Sequence, residues 1–271
     1  MKILISSPIR EKAAVLKCYL DALIQNKNNC SELCEVGFYF IDDNIEDKSS
    51  AALYEYKSRL ESECIEFTIE RVLEEISNQD DRAEEWNSVK ILKMSCLRDQ
   101  IINYTLGKGY DYLLMVDSDL MLGEDTLCEL ILTDKEIATP LHWTYINNGL
   151  YPNVWLYDFW DFAYRKYVGE HISRAKQLMR MEEFFKMLRK PGVYKVGGLC
   201  GCSLIKAECL RNGLRYRVCS NTSVLSEDYY FCTRASVLEM EMYVNTKVDC
   251  FHVYKEEMLQ EYKSLIATVP E

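Results

Sequence analysis

The 271-residue chain is poor in the residues that punctuate a fold, with five prolines, eleven glycines and no low-complexity tract. That scarcity leaves no Pro/Gly/Ser-rich linker, so one domain over residues 1–271 is expected rather than two on a tether. Positive charge is also short: 32 Lys and Arg face 43 Asp and Glu, a formal net charge of −11. A nucleic-acid binder needs a basic surplus to neutralise phosphates, so that role is excluded for the chain as a whole. The one basic stretch, Arg174 to Lys190, reads as a solvated helix face. No run approaches the roughly 18 apolar residues that span a bilayer, so no transmembrane segment is expected. The opening Met1-Lys2-Ile3-Leu4-Ile5 meets Ser6-Ser7-Pro8 too soon for the apolar core of a leader. Histidine is scarce, at three, and no CxxC pair occurs, so neither Cys30/Cys34 nor Cys200-Gly201-Cys202 reads as structural zinc. The twelve cysteines lie scattered among apolar neighbours. They are expected to be reduced thiols, in a protein that is cytoplasmic or peripheral at a membrane.

What is present is an alternation of strand-like and helix-like segments. Lys2–Ser7 reads as a buried strand stopped by Pro8, Glu35–Ile41 as a second, Ile65–Ile69 as a third and Tyr112–Val116 as a fourth. Between them, Glu11–Gln25, Ser49–Glu63 and Lys90–Leu106 carry helical periodicity, the last ended by Gly107. Asp80–Trp86 is polar and reads as a loop. Further on, Glu136–Trp143 and Val193–Val196 read as strands, Ile172–Arg189 and Ser226–Met240 as helices, and Met242–Val253 as extended. The pattern predicts an α/β domain with a mostly parallel sheet, whose ligand crevice lies at the carboxyl ends of the strands. The polar ends Ser7-Pro8, Asp42-Asp43 and Asp117-Ser118-Asp119 would then share one rim.

Asp117-Ser118-Asp119 closes a strongly apolar strand. Two carboxylates on such a turn can hold a hard divalent cation through oxygen, and the cation can neutralise a diphosphate. A plain turn or helix cap would use the same residues. Asp42-Asp43 can hydrogen-bond a nucleoside base or ribose, or simply form an Asx-turn. Glu227-Asp228 follows Ser226 as a standard helix start, and can also supply a general base for an acceptor hydroxyl. His252, in an apolar strand, is either a structural histidine or a further metal ligand. The aromatic run Tyr151–Tyr167, with Trp155 in it, reads as core, with an acceptor platform as the alternative.

These segments resemble the GT-A fold glycosyltransferases, most closely the inverting, family 2-like group with a DxD motif. Ile3-Leu4-Ile5-Ser6-Ser7-Pro8 resembles the opening strand and donor loop, and Phe40-Ile41-Asp42-Asp43 the acid pair that contacts the base. Cys96-Leu97-Arg98-Asp99 is similar to a helix carrying an arginine-asparagine pair, with Asp99 where asparagine is usual. Tyr112-Leu113-Leu114-Met115-Val116-Asp117-Ser118-Asp119 looks like the metal-binding strand, Gly197-Gly198-Leu199-Cys200-Gly201 like the acceptor loop, and Ser226-Glu227-Asp228 like the ED motif. The resemblance implies an α/β, GT-A type nucleotide-diphospho-sugar transferase fold, with a nucleotide-binding half over 1–120 and an acceptor half over 121–271. It implies Mn²⁺ or Mg²⁺ at Asp119 and His252, and Asp228 as the catalytic base. The donor, a UDP- or GDP-linked sugar, is assigned to Ser7, Pro8, Arg10, Asp42, Asp43, Arg98, Asp117 and Ser118. The acceptor, an unspecified glycan, lipid-linked or protein hydroxyl, is assigned to Gly198, Glu227 and Trp155. No QxxRW follows the ED segment, so a processive synthase is not expected. A nucleotidyltransferase is the nearest alternative, but Ile9-Arg10-Glu11-Lys12 lacks the glycine-rich loop that class needs; a non-catalytic sugar-binding protein is another.

Overall fold

The computed structural model describes residues 1–72, 88–146, 149–248 and 250–267. In chain order the elements are β1 (Lys2–Ile9), α1 (Ala13–Asn29), β2 (Glu35–Asp42), α2 (Asp47–Ser62), β3 (Phe67–Arg71), α3 (Ser88–Gly107), β4 (Tyr112–Val116), β5 (Leu120–Leu122), α4 (Thr126–Thr133), β6 (Ile137–Pro140), β7 (Trp143–Ile146), β8 (Gly149–Pro152), β9 (Val154–Trp155), α5 (Arg174–Leu188), β10 (Val193–Val196), β11 (Gly198–Leu199), β12 (Cys202–Lys206), α6 (Ala207–Arg211), α7 (Glu227–Val237), β13 (Met242–Asn245), β14 (Cys250–His252) and α8 (Met258–Ala267). The loop expected at Asp80–Trp86 lies outside the described residues.

Eight strands form one sheet in the order β10-β13-β6-β12-β4-β1-β2-β3. Strands β3, β2, β1 and β4 run parallel, and only β12 and β10 run against the common direction. Side chains alternate between the two faces, as a period of two requires. Ile3, Ile5, Phe38, Phe40, Leu114 and Val116 join the core beneath α1, α2 and α4. Leu4, Tyr39, Ile41, Leu113 and Met115 join a second core beneath α3, α6 and α7. Burial on both faces explains why these strands read as continuous apolar runs.

The register puts Ile9 opposite Asp42 and Ser6 opposite Met115, so the polar ends of β1, β2 and β4 do share one rim. Pro8 does not stop β1, as expected from its chemistry, but lies inside it opposite Ile41. The β4 ladder has already ended at Ser6, so the missing N–H of Pro8 costs no pairing on that side. The segment expected as one strand over Glu136–Trp143 turns at Leu141-His142 into β6 and β7, which belong to different sheets. Met242–Val253 likewise divides, β13 joining the main sheet and β14 pairing with β5.

The cysteine expectation is corrected at one place. Cys30 at the end of α1 and Cys128 in α4 form a disulfide with Cα atoms 5.6 Å apart, whereas buried Cys34, Cys202, Cys209 and Cys232 are free thiols. Buried Asn26 brings the two helices together: its Nδ2 donates to the Gly123 carbonyl and its Oδ1 accepts from Leu127 N–H. No helix among the described residues is long and apolar enough to cross a membrane.

Trp155 is fully buried, stacked on Trp160 with ring centroids 5.6 Å apart and meeting Phe159 edge-on. It is therefore core and offers no face to an acceptor, correcting the platform assignment. Gly198 makes room for it, since a Cβ there would lie 2.1 Å from the indole. Gly198→Ala should cost about 1–3 kcal/mol through overpacking. Its melting temperature should fall by several degrees, at about 2–4 °C per kcal/mol for a chain of this size. Gly107→Ala, where a Cβ meets nothing within 4 Å, should melt like the unaltered protein. Equal melting temperatures for all three proteins would show that the Gly198–Trp155 contact does not limit packing.

Candidate functional site

The Asp117-Ser118-Asp119 turn is held from both sides. Asp117 N–H donates to the Gly201 carbonyl at 2.7 Å and Leu120 N–H to the Asp117 carbonyl at 3.1 Å. Val253 N–H donates to the Asp119 carbonyl at 2.8 Å, and β14 pairs antiparallel with β5, His252 opposite Leu120. That short ladder brings His252 to Asp119 across 133 residues of sequence, with Nε2 3.0 Å from Oδ2. The other ring nitrogen, Nδ1, lies 2.7 Å from Thr144 Oγ1 on β7, which fixes the ring plane. Burial opposes protonation of His252, but the Asp119 carboxylate outweighs it and raises the ring above its ordinary value.

Asp119 Oδ2 and His252 Nε2 are donor atoms that could hold a divalent cation here. Among the described residues no third His, Cys, Asp or Glu completes a protein cage. A cation held by one carboxylate and one imidazole would draw its remaining ligands from phosphate oxygens and water.

Beside the turn, α3 presents Arg98, 3% exposed. Its Nη2 donates to Asp117 Oδ1 at 2.7 Å and its Nη1 to Asp228 Oδ1 at 2.6 Å; Glu227 Oε1 lies 3.8 Å from Nη2. The guanidinium sits 5.0 Å above the Tyr216 ring, which stacks on Phe231. Asp99, the next residue of α3, accepts from Tyr216 N–H at 2.7 Å and fixes that support. Ser226 caps α7, accepting from Tyr229 N–H, so Glu227 and Asp228 occupy its first turn. The helix start and the acidic site are one feature. Burial pushes the Glu227 carboxyl up, to about 7, with the Asp228 charge adding and Arg98 opposing.

The other expected residues divide. Asp42, 1% exposed, forms the Asx-turn: Oδ1 accepts from Asn44 N–H, Asn44 Nδ2 and Ser50 Oγ. Its Oδ2 is buried without a hydrogen-bond partner. Asp43 reaches the rim but is occupied, pairing with Lys93 at 2.5 Å and with Arg10 at 2.9 Å. Ser7 is buried, its Oγ donating to the Pro8 carbonyl, whereas Ser118 is partly exposed. Sequence reasoning passed over two residues. Glu11, after β1, has its carboxyl pushed up to about 7 by burial, the Asp119 charge adding. His142 is buried 5.3 Å from the His252 ring, its Nδ1 without a partner, and burial holds it well below its ordinary value. Neither lies in a local pattern that sets it apart from turn or core residues.

The raised carboxyl of Glu227 has a measurable consequence. Protonated Glu227 favours the folded state below its unfolded value of about 4.5, and that contribution is lost as pH rises through about 7. Glu227→Gln cannot ionise, so it should gain melting temperature over the unaltered protein by a few degrees near pH 8 and much less near pH 4.5. A difference that does not change between those two pH values would mean Glu227 does not titrate there.

The comparisons with known proteins bear on this arrangement. A mannosyltransferase from Pyrobaculum calidifontis, in complex with GDP-Man and Mn²⁺, superposes with a TM-score of 0.57 at 11% identity, covering 96% of this chain and 59% of that one. GalNAc-T7 with UDP, GalNAc and Mn²⁺ gives 0.49 at 11% identity over 93% and 43% of the two chains. A197 from STIV gives 0.42 at 14% identity over 94% and 86%. At 11% identity the likeness to the mannosyltransferase is one of fold, an α/β glycosyltransferase fold of the GT-A type. No curated protein matches the sequence. The family model described as glycosyltransferase family 25, N-terminal domain, matches residues 1–184. Since that match spans well over half of the chain and carries the first four sheet strands and the Asp-Ser-Asp turn, the protein belongs to glycosyltransferase family 25, by its N-terminal domain.

Proposed function

We propose that the protein transfers a sugar from a UDP- or GDP-linked donor to an acceptor hydroxyl with inversion, using a divalent cation at Asp119 and His252 and Asp228 as general base. The observation that carries this reading is the Arg98 bridge, which joins the Asp117 end of the motif to Asp228. In this reading residues 1–120 bind the nucleotide and 121–271 the acceptor, be it a glycan, a lipid-linked sugar or a protein. The mannosyltransferase of like fold holds a nucleotide sugar with Mn²⁺, which supports the same class of donor and ion here.

Bound Mn²⁺ or Mg²⁺ would neutralise charge on the departing diphosphate. Asp119 and His252 hold their donor atoms ready for it, and Thr144 fixes the imidazole. Asp228 has Oδ1 bound to Arg98, and Oδ2 accepts no hydrogen bond among the described residues. That free oxygen takes the proton of the acceptor hydroxyl as the hydroxyl oxygen bonds to the anomeric carbon. The bond from that carbon to the diphosphate oxygen breaks on the opposite face, so one displacement inverts the centre.

Two outcomes test this reading, after a panel of nucleotide sugars has identified the donor. Asp228→Asn keeps size and the helix start but cannot accept the proton, so transfer should fall by roughly 10²–10⁴-fold while donor affinity holds. Near-normal transfer by that variant would reject the base assignment. Asp119→Ala should abolish most of the Mn²⁺-dependent gain in nucleotide binding seen by calorimetry, and His252→Ala should lose less, since it removes a neutral ligand. Nucleotide binding that ignores both chelator and Asp119→Ala would remove the cation from this corner.

A further inference from the structure

Arg98 was expected at the donor, but its geometry gives it different work. Among the described residues Nη1 and Nη2 are each committed to a carboxylate, and Nε is buried without a partner. The side chain is 4% exposed, the Tyr216 ring lies against the guanidinium, and Asp99 pins Tyr216 from the same helix. A planar fork clamped in this way cannot swing out to meet a ligand. It can hold two carboxylates at a fixed separation and angle, which a point charge cannot do.

The two carboxylates come from distant parts of the chain. Asp117 follows β4 directly, in the turn that carries Asp119. Asp228 opens α7, 130 residues beyond Arg98. On Asp228 the bond to Arg98 takes Oδ1 and so stops rotation of the carboxylate, while the side chain keeps 19% of its surface exposed. One oxygen is fixed and the other is left for chemistry.

We propose that Arg98 is a positioning residue, which aims Asp228 Oδ2 at the acceptor hydroxyl and locks that aim to the cation-bearing turn. This rests on the reading of Asp228 as the base. Arg98 touches neither substrate nor cation; it acts through Asp228. A positioning role of this kind sets turnover and not donor binding, and its effect exists only while Asp228 can take a proton.

The experiment is a double-mutant cycle on the full chain with Arg98→Lys, Asp228→Asn and both together, reading kcat, donor KM and Mn²⁺ affinity. Lysine keeps the buried charge but, with a single nitrogen, cannot hold the two carboxylates at the separation and angle that the planar fork sets. Arg98→Lys should lower kcat by about 10²-fold, the cost of a misplacement of about 1 Å, with donor KM and Mn²⁺ affinity within about twofold of the unaltered protein. In the Asp228→Asn background the same change should lower kcat by less than about twofold, because the group it acts through is already gone. Independent, multiplying losses would overturn the inference, as would a raised donor KM with kcat intact, and the base assignment would survive either result. Failure of the base assignment shows separately, as near-normal transfer by Asp228→Asn alone. Should Arg98→Lys not fold, Arg98→Ala with added guanidinium ion reads the same point. Recovery of kcat by the free ion only when Asp228 is present supports positioning, and equal recovery in the Asp228→Asn background overturns it.

Discussion

A guanidinium taken out of water must be neutralised where it lies, and that constraint on Arg98 organises the centre of this protein. Asp117 and Asp228 meet it directly and Glu227 stands behind them. Of these acids Glu227 is buried, while Asp117 and Asp228 keep part of their side chains exposed, so the cost of burial falls chiefly on Arg98 and Glu227. The end of β4, the middle of α3 and the start of α7 are therefore fixed relative to one another by charge, on top of their apolar packing. The excess of acid is eased by Glu227, whose raised carboxyl can keep its proton near neutrality. Tyr216, Asp99 and Phe231 extend the cluster into the core below, so the site is anchored on the same helix that anchors the sheet.

Much of the fold was legible because its strands are buried on both faces. Runs such as Ile3-Leu4-Ile5 and Leu113-Leu114-Met115-Val116 can only be interior, and their polar ends mark the rim. The Asp-Ser-Asp turn was legible for the same reason, as a sudden change from apolar strand to paired acid. What could not be read was pairing across long separations. Nothing near Leu120–Leu122 announces a partner at Cys250–His252, and three residues are too few to show a period. The short helix α4 was missed for want of length.

The candidate site residues show what residue type alone can and cannot say. Residue type gave the chemistry available at Asp119, Asp228 and His252, but not their neighbours. Asp42 and Asp43 are adjacent in sequence, yet one is sealed into a turn and the other engaged by Lys93 and Arg10. Trp155 has the chemistry of a platform, but its burial against Gly198 is a matter of long-range packing that its own segment does not show. Arg98 is the sharpest case: the resemblance alone assigns it to the donor, and only the positions of Asp117 and Asp228 show that its charge is matched within the chain.

The bond between Cys30 and Cys128 divides these residues by topology. It closes a loop 98 residues around, and in chain-entropy terms a loop of that size removes about 4–5 kcal/mol of freedom from the unfolded ensemble. Asp42, Asp43, Arg98, Asp117 and Asp119 all lie inside the ring, whereas Asp228 and His252 lie outside it. With the bond in place, the unfolded chain is a lasso whose noose already holds Arg98 and the Asp-Ser-Asp turn, while Ser7, Pro8 and Arg10 lie on the tail before it. The two residues that would supply the base and the imidazole ride on the free tail, and only folding brings them in.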